Sequence, residues 1–464
     1  MSQYRPLAAV VLAAGEGTRM RSGTPKVLHP LCGRPMVLHV VDALAELPLE
    51  RIVVVVGHGA ESVTKTLQEQ LVTEVPVEFV EQRVQRGTGD AVSVALTVFD
   101  DLDAEDDILV VPADAPLVRA ETIAKLATEH RLQDAAAAIL TANVPEPFGL
   151  GRVVRDKEGR VARVIEHSDA TPGERDINEI NTSIYCFRRG LLAPTLRRLS
   201  PENAQGEYYL TDAIGVLRDA GHKVIALEME DAAEAIMVND RVQLAAAEVE
   251  LRDRINRIWM LGGVTMVDPA TTYIDATAEL EPDVRLLPGT ILEGRTIVGA
   301  GSVLGPDVHL TDVVVGEHVR ISNSVARECE IGDDCEIGPF AYLRPGTRLA
   351  SGVKIGTYVE VKNSEIGTET KVPHLSYVGD ADIGESANLG ASTITANYDG
   401  ERKHRTKIGD GVHTGVHTSL VAPVEVGDGA ETGAGAVVTH DVEAGRLVKG
   451  IPARDARPAR EDEG

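Results

Sequence analysis

The sequence predicts two architectures in one chain: an α/β domain with a mostly parallel sheet, then a parallel β-helix of six-residue repeats, joined by a long helix. Three observations carry that expectation. Through residues 1–239, buried strand-like runs alternate with helix-like ones. After Gly263 the helical period disappears and short Val/Ile–Gly units replace it. Between Ile408 and Val438 a hydrophobic residue or Thr recurs at every sixth position, at Ile408, Thr414, Leu420, Val426, Thr432 and Val438. A period of six fits neither an α-helix nor strand alternation. It reads as a short strand plus a tight turn, stacked coil on coil.

Taken in order, Ala8 to Leu12, Arg51 to Val56 and Asp107 to Pro112 read as buried strands. Val37 to Leu47, Ala60 to Leu71 and Glu121 to Leu132 read as the helices between them. Such alternation marks a parallel sheet covered by helices, with ligands at the carboxyl ends of its strands. Asp240 then opens a helix, with Gln243 completing a capping-box pattern. Leu244, Leu251, Ile255 and Ile258 share a face, and Gly262-Gly263 ends it. At about 1.5 Å per residue this helix spans roughly 30 Å, enough to separate two domains. The hexads follow, among them Val298-Gly299, Leu304-Gly305, Val315-Gly316, Ile331-Gly332, Ile337-Gly338, Ile355-Gly356 and Ile366-Gly367. One inward apolar residue per hexad builds a narrow core, and Gly is expected at the turns because it tolerates positive φ. The expected division is 1–239, a helix at 240–262, a coil at 263–453, and a charged tail without fixed structure at 454–464.

Composition narrows the function. The length of 464 residues suggests about three domains. With 43% hydrophobic residues the chain is globular, and 3% aromatics suits a slender core of Val, Ile and Ala. A net charge of −26 argues against a nucleic-acid partner, and an anionic substrate must be met by local basic groups. The four cysteines are scattered without metal or redox spacing and are expected as reduced thiols. The apolar run Leu7 to Ala14 is too short to span a membrane and leads into a Gly loop. A soluble, cytoplasmic protein without a membrane partner is expected.

Two stretches carry chemistry. Leu12-Ala13-Ala14-Gly15-Glu16-Gly17-Thr18-Arg19-Met20, with Pro25-Lys26 just beyond, follows the first strand. Gly15 and Gly17 let backbone N–H groups approach an anion, and Arg19 and Lys26 supply the charge a triphosphate needs. Gly-rich turns also serve structure alone; the two cations favour the phosphate reading. Asp114 ends a buried strand, where a carboxylate could hold Mg²⁺ or cap a turn. The polar segment Glu81 to Gly89 can hydrogen-bond a base edge. In the second half, His374 sits among the hexads, and Thr395 to Lys403 interrupts them. A break in the rhythm reads as a loop thrown out of the coil, a usual place for binding residues. A lone His is more often structural; its closeness in sequence to a loop with Asn, Tyr and Lys favours catalysis.

Over nearly the whole chain the sequence resembles the bifunctional N-acetylglucosamine-1-phosphate uridylyltransferase / glucosamine-1-phosphate acetyltransferase family, whose leader motif L-A-A-G-x-G-T-R-M then P-K stands here as Leu12 to Met20 and Pro25-Lys26. The resemblance implies a Rossmann-like nucleotidyltransferase domain and a left-handed hexapeptide β-helix that trimerises, with acetyl-transfer sites at subunit interfaces. It implies that Leu12, Ala13, Ala14, Gly15, Lys26, Gln82, Gln85, Gly87 and Thr88 bind UTP. Asp114 and Asn239 would bind Mg²⁺, and Gly151, Glu166, Asn181 and Asn239 the sugar. Gln205 to Asp212 also matches the family. The phosphate of N-acetylglucosamine-1-phosphate would attack the α-phosphorus of UTP and release pyrophosphate. That nucleophile is already an anion, so the protein aligns and neutralises charge, chiefly through Arg19 and Lys26.

In the coil the resemblance makes His374 the general base that deprotonates the glucosamine amine as it attacks acetyl-CoA, with Glu360 orienting the imidazole. Arg344, Lys362 and Lys403 would bind the phosphate of glucosamine-1-phosphate. Tyr377, Asn388, Asn397 and Tyr398 would line sugar and acetyl group, Asn397 as a candidate oxyanion donor. Ala391, Val416 and Ala434 would lie along coenzyme A, which Asn397 and Tyr398 also approach. The implied product, UDP-N-acetylglucosamine, supplies peptidoglycan and lipopolysaccharide-type envelope precursors. Ala113, Asp90, Leu150, Ala396 and Val416 stand where the family usually has Gly, His, Tyr, Cys and Ser. Two alternatives remain at this stage: a nucleotidyltransferase with a structural or regulatory coil, and a trimeric scaffold without activity.

Overall fold

Strand β1 (Leu7–Ala13) sets the logic of the first half of the chain: every residue but Leu12 is buried, so both faces need cover. The computed structural model describes residues 5–99, 105–147 and 149–450. In it β2 (Ile52–Val56), β3 (Val77–Glu81), β4 (Asp107–Pro112), β5 (Ala137–Asn143), β6 (Arg152–Arg155), β7 (Val161–Ile165), β8 (Glu179–Arg188) and β9 (Val224–Glu228) join β1 in a nine-stranded sheet. The order is β9-β5-β8-β4-β1-β2-β3, with β6 pairing β8 and β7 pairing β6. β1 runs parallel to β2 and β4, β2 parallel to β3, and β5 parallel to β9. β8 lies antiparallel between β4 and β5.

Helices α1 (Met36–Ala45), α2 (Ala60–Gln70), α3 (Thr88–Ala95) and α4 (Ala120–Leu132) follow the pattern read from the sequence to within two residues where one was expected. The apolar residues form separate layers: Ala9, Val11, Val54 and Leu109 in one, Val10, Val53, Val55 and Val110 in another. That split is the strand period of two, read out as packing. Each buried Val or Leu among them contributes about 1.5–3 kcal/mol by leaving water.

The described residues divide into two compact units between Leu251 and Arg252, within helix α5 (Arg241–Leu261). Asp240 Oδ1 accepts from the N–H groups of Val242 and Gln243, both at 2.9 Å. The return arm differs from the expected box: Gln243 Oε1 accepts from Asn239 N–H at 2.8 Å, one residue earlier. Leu244, Leu251 and Ala247 pack with Leu31, Met36, Leu117 and Val238 in the first unit; Ile255 and Trp259 pack on the core of the second. Ile258, expected on that face, is 65% exposed. The helical period carries the stripe from Ile255 to Trp259, four residues on, and past Ile258. Gly263, at φ 101°, ends the helix.

The second unit is the expected coil. Its strands form three parallel ladders, and all six residues of the Ile408–Val438 series are buried. Ile408 pairs with Val426 and Leu420 with Val438, so the coils of this stretch take three hexads and 18 residues; some earlier ones are shorter, with Ile366 pairing Ile383 17 residues on. At the interruption the spacing widens: Ile383 pairs with Ile408 and Ala396 with Val421, each 25 residues on. The extra chain is a hairpin closed by the Tyr398–Lys403 bridge, after which register returns.

The role expected for the hexad glycines needs correction. Gly409, Gly415, Gly427 and Gly433 are not at positive φ. They are required because coils stack closely: a Cβ on Gly415 would lie 2.6 Å from Ala434 N. Most left-handed corners are held instead by other residues, Asp307, Asn323, Phe340, Tyr358 and His417 among them.

All four cysteines are buried, and burial pushes the Cys335 thiol up to about 11. Among the described residues no helix is long and apolar enough to cross a membrane. The expected tail at 454–464 lies outside the described residues.

Candidate active sites

Parallel strands deliver their carboxyl ends to one edge, and three loops leave from there: Ala14–Gly17 after β1, Gln82 after β3 and Asp114 after β4. Leu12, Ala13, Ala14, Gly15, Lys26, Gln82, Gln85, Gly87, Thr88 and Asp114 line one cavity of about 510 Å³. A Cβ on Gly17 (φ 67°) would lie 2.5 Å from Lys26 Cβ, so this glycine admits Lys26. A Cβ on Gly15 would meet nothing within 4 Å, which leaves the loop open. Thr88 Oγ1 accepts from Leu210 N–H at 3.0 Å, and Gln85 Nε2 donates to Ala14 O at 3.3 Å.

Lys26 is the hub. Its ammonium pairs with Asp114, which is 9% exposed, and donates to Asn239 Oδ1 at 3.2 Å. Arg19 lies outside the cavity lining, yet its guanidinium donates to the same Asn239 oxygen at 2.9 Å. One carboxylate and one amide oxygen suit Mg²⁺, which takes one or two protein oxygens and fills the rest with phosphate and water. No group of three or more His, Cys, Asp or Glu gathers among the described residues, so no protein-only cage competes.

The expected sugar residues lie together. Asn181 N–H donates to Gly151 O at 2.9 Å, and a Cβ on Gly151 would lie 3.5 Å from Glu166 Oε2. Burial raises the pKa of the Glu166 carboxyl, and Asp212, Asp169 and Glu207 raise it further, against one hydrogen bond from Thr211 at 3.1 Å. Asn239 stands apart from this trio, with the cations. Ser183 and Met237 also line the cavity and were missed, as was the position there of Glu207. Ser183 enters at φ 58° on a bulge of β8, where the register shifts between Asn181 and Tyr185. A bulge leaves no clear mark in sequence. Ala113 is fully buried in the core and Leu150 packs against it.

In the coil, Arg344, Glu360, Lys362 and Tyr377 follow one ladder, in which Tyr342, Glu360 and Tyr377 align. Lys403 comes from the hairpin, and the Lys362 ammonium beside it holds its pKa below the ordinary lysine value. The two cations face one another with the Asp380 carboxylate beside them. Buried Asp380, absent from the expected set, ties the cluster together. It accepts from Asn363 Nδ2 at 2.6 Å and from Asn397 Nδ2. Burial would raise its pKa, but those bonds, Lys362 and Lys403 hold it low. One amide hydrogen of Asn397 is therefore spent on Asp380. A Cβ on Gly379 would strike the Tyr377 hydroxyl at 2.4 Å, so Gly379 makes room for that ring. Tyr398 is exposed and donates to Gly400 O at 2.6 Å.

The expected Glu360–His374 pair is not formed within the chain. Glu360 accepts from Arg344 Nη1 at 2.7 Å, and no described residue bonds the exposed His374 ring. The reason is topological: Glu360 aligns with Tyr377 on one ladder, and His374 aligns with Thr357 on another. Asn388, exposed, shares the His374 ladder through Lys371. Ala391 and Val416 carbonyls accept from His417 and Gly435, so Ala391, Val416 and Ala434 lie on successive coils at one corner.

Residues 9–210 match the MobA-like NTP transferase domain family, and residues 328–363 the bacterial transferase hexapeptide family. Fold, cavity and matches together define a nucleotidyltransferase carrying a hexapeptide-repeat transferase on the same chain. The curated bifunctional protein GlmU of Brevibacillus brevis is 49% identical over 95% of this chain and 94% of its own. That of Thermobifida fusca is 49% identical over 100% and 95%, and that of Streptomyces avermitilis 49% over 96% and 92%. The chain belongs to the bifunctional GlmU family.

Proposed function

We propose that this chain makes UDP-N-acetylglucosamine in two steps at two sites. Acetyl-CoA first acetylates glucosamine-1-phosphate on the coil, residues 263–453. UTP then uridylylates the resulting N-acetylglucosamine-1-phosphate at the sheet edge of residues 1–239, with release of pyrophosphate. The single observation that carries the reading is the convergence of Lys26 on Asp114 and Asn239 beside the Gly15 loop. In our reading Asp114 and Asn239 would hold Mg²⁺, which would supply positive charge at the triphosphate. Arg19 and Lys26 neutralise the same charge. Glu166, Asn181 and Gly151 hold the sugar.

On the coil, Arg344, Lys362 and Lys403 hold the sugar phosphate, an anion that relieves the repulsion between the two lysines. His374 takes the amine proton, and Asn397 and Tyr398 face the acetyl group. Ala391, Val416 and Ala434 leave a smooth wall for coenzyme A. Phosphate and coenzyme groups lie on different faces of one coil, which supports a homotrimer in which neighbouring copies complete each site. The exposed Phe340 and Tyr358 rings, stacked 5.4 Å apart on adjacent coils, supply an apolar edge for that packing. The product belongs to the cytoplasmic stage of peptidoglycan and related envelope synthesis.

A coupled assay tests the reading. UTP, glucosamine-1-phosphate, acetyl-CoA and Mg²⁺ should together yield UDP-N-acetylglucosamine, and omission of acetyl-CoA should stop it. Pyrophosphate release without any acetyl transfer would reduce the coil to a scaffold.

A further inference from the structure

We propose that Asp90 sets which nucleobase the first site accepts, by locking the orientation of the Gln82 amide. The inference rests on reading the cavity as the UTP site. Gln82 lines that cavity, is 4% exposed, and is pinned by its backbone N–H to Val56 O at 2.8 Å. Its side-chain nitrogen donates to Gly87 O at 3.2 Å and to Asp90 Oδ2 at 2.8 Å. A carbonyl and a carboxylate only accept, so only the NH₂ end of the amide can face them. Turning the amide over would press Oε1 against two acceptors. The ambiguity that usually attends a glutamine amide is therefore resolved by its partners.

Both amide hydrogens are spent inside the protein. Among the described residues nothing donates to Oε1, so the group offered to the cavity is an acceptor. The pairing edge of uracil carries an N–H at N3. Cytosine has a lone pair there, and its exocyclic amine lies one ring position away. An acceptor fixed opposite N3 thus favours uracil and repels cytosine, and a site with a fixed polar group discriminates far better than an apolar one. Asp90 is itself held: its Oδ1 accepts from Arg86 at 2.7 Å, and Arg86 is largely exposed. With a side chain at position 90 that can also donate, Gly87 O alone would hold the amide in place.

The test measures kcat/KM for UTP and for CTP by pyrophosphate release, with N-acetylglucosamine-1-phosphate and Mg²⁺. The full chain is compared with Asp90→Asn, Asp90→Ala and Arg86→Ala. Both Asp90 variants should narrow the UTP-to-CTP ratio about tenfold or more, mainly through a higher KM for UTP and a gain with CTP. Arg86→Ala should keep the ratio within about twofold, since it leaves both partners of the Gln82 nitrogen in place. A merely structural role for Asp90 would lower turnover of both nucleotides together. Unchanged ratios in both Asp90 variants, with UTP still turned over, would overturn the proposal alone. No pyrophosphate release from UTP by the unaltered chain would overturn the reading of the cavity, and the proposal with it.

Discussion

Asp380 holds Asn397: the buried carboxylate that hydrogen-bonds the Asn397 amide also takes the Asn363 amide from the preceding coil. The hairpin that breaks the hexads is thus anchored at its base from beneath. Asp380→Ala should leave two amides without their acceptor, at a cost of about 1–3 kcal/mol, and loosen the hairpin bearing Tyr398 and Lys403. Acetyl transfer should fall at least tenfold, with pyrophosphate release from UTP unchanged. Parallel assays of coenzyme A release and pyrophosphate release check both halves.

Arg19 and His374 should separate the two activities. Arg19→Ala removes a cation fixed to Asn239 and should lower pyrophosphate release by about 10²–10³-fold, the usual scale for one lost electrostatic contact in a transition state. His374→Ala should suppress acetyl transfer alone. Loss of both activities in either variant would refute independent sites.

Glu166 makes a prediction about pH. Its folded pKa is raised above the ordinary carboxylate value, chiefly by burial. In the window between ordinary and raised values the folded state binds more protons than the unfolded one, so stability falls as pH rises through that window. Above it, the buried charge is a standing penalty. Glu166→Gln should therefore raise the melting temperature of the first unit near neutral pH and flatten its pH dependence, while raising KM for the sugar phosphate. Calorimetry between about pH 4 and 8 reads the first effect; a melting point unchanged or lowered by the substitution at neutral pH would contradict it.

Gly415 should not tolerate a methyl group. Its Cβ would meet the backbone of the neighbouring coil at Gly433 and Ala434, and backbone cannot rotate away. Gly415→Ala should destabilise the coil by about 1–3 kcal/mol, the scale of overpacking. Gly429→Asn, at φ 62° with nothing near its Cβ, should cost less, because Asn accepts left-handed φ better than most residues. Denaturant melts of the two variants check the order.

The periodic parts of this molecule were legible and the aperiodic parts were not. Ile408 to Val438 announced the coil because a ladder repeats its own requirements, and β1, β2 and β4 announced the sheet because burial on both faces leaves apolar runs; β3, half-buried, left no such run. The Gly15 loop and its two cations were readable for a local reason: they lie within one short stretch. Ser183 was missed because a bulge depends on the pairing of strands distant in sequence. Asp380 was missed because its partners, Asn363 and Asn397, are brought to it by stacking. The Glu360–His374 pair is not made within one chain for a related reason: nearness along the chain says little when successive strands turn onto different ladders. The positive φ expected of the hexad glycines holds at Gly305 and Gly338 but not at Gly409, Gly415, Gly427 or Gly433, since the sequence cannot reveal how closely the next coil approaches.

The hairpin at Tyr398–Lys403 has a consequence for how such a chain can change. Pairs below it lie 18 residues apart and pairs across it 25, yet the ladders on either side keep the same inward residues. A corner of the coil can therefore accept or lose several residues without disturbing any other rung, and closing a somewhat longer loop costs little. Chemistry can be spliced into such a scaffold at any corner, and edited there, while the rest of the column continues to fold as before.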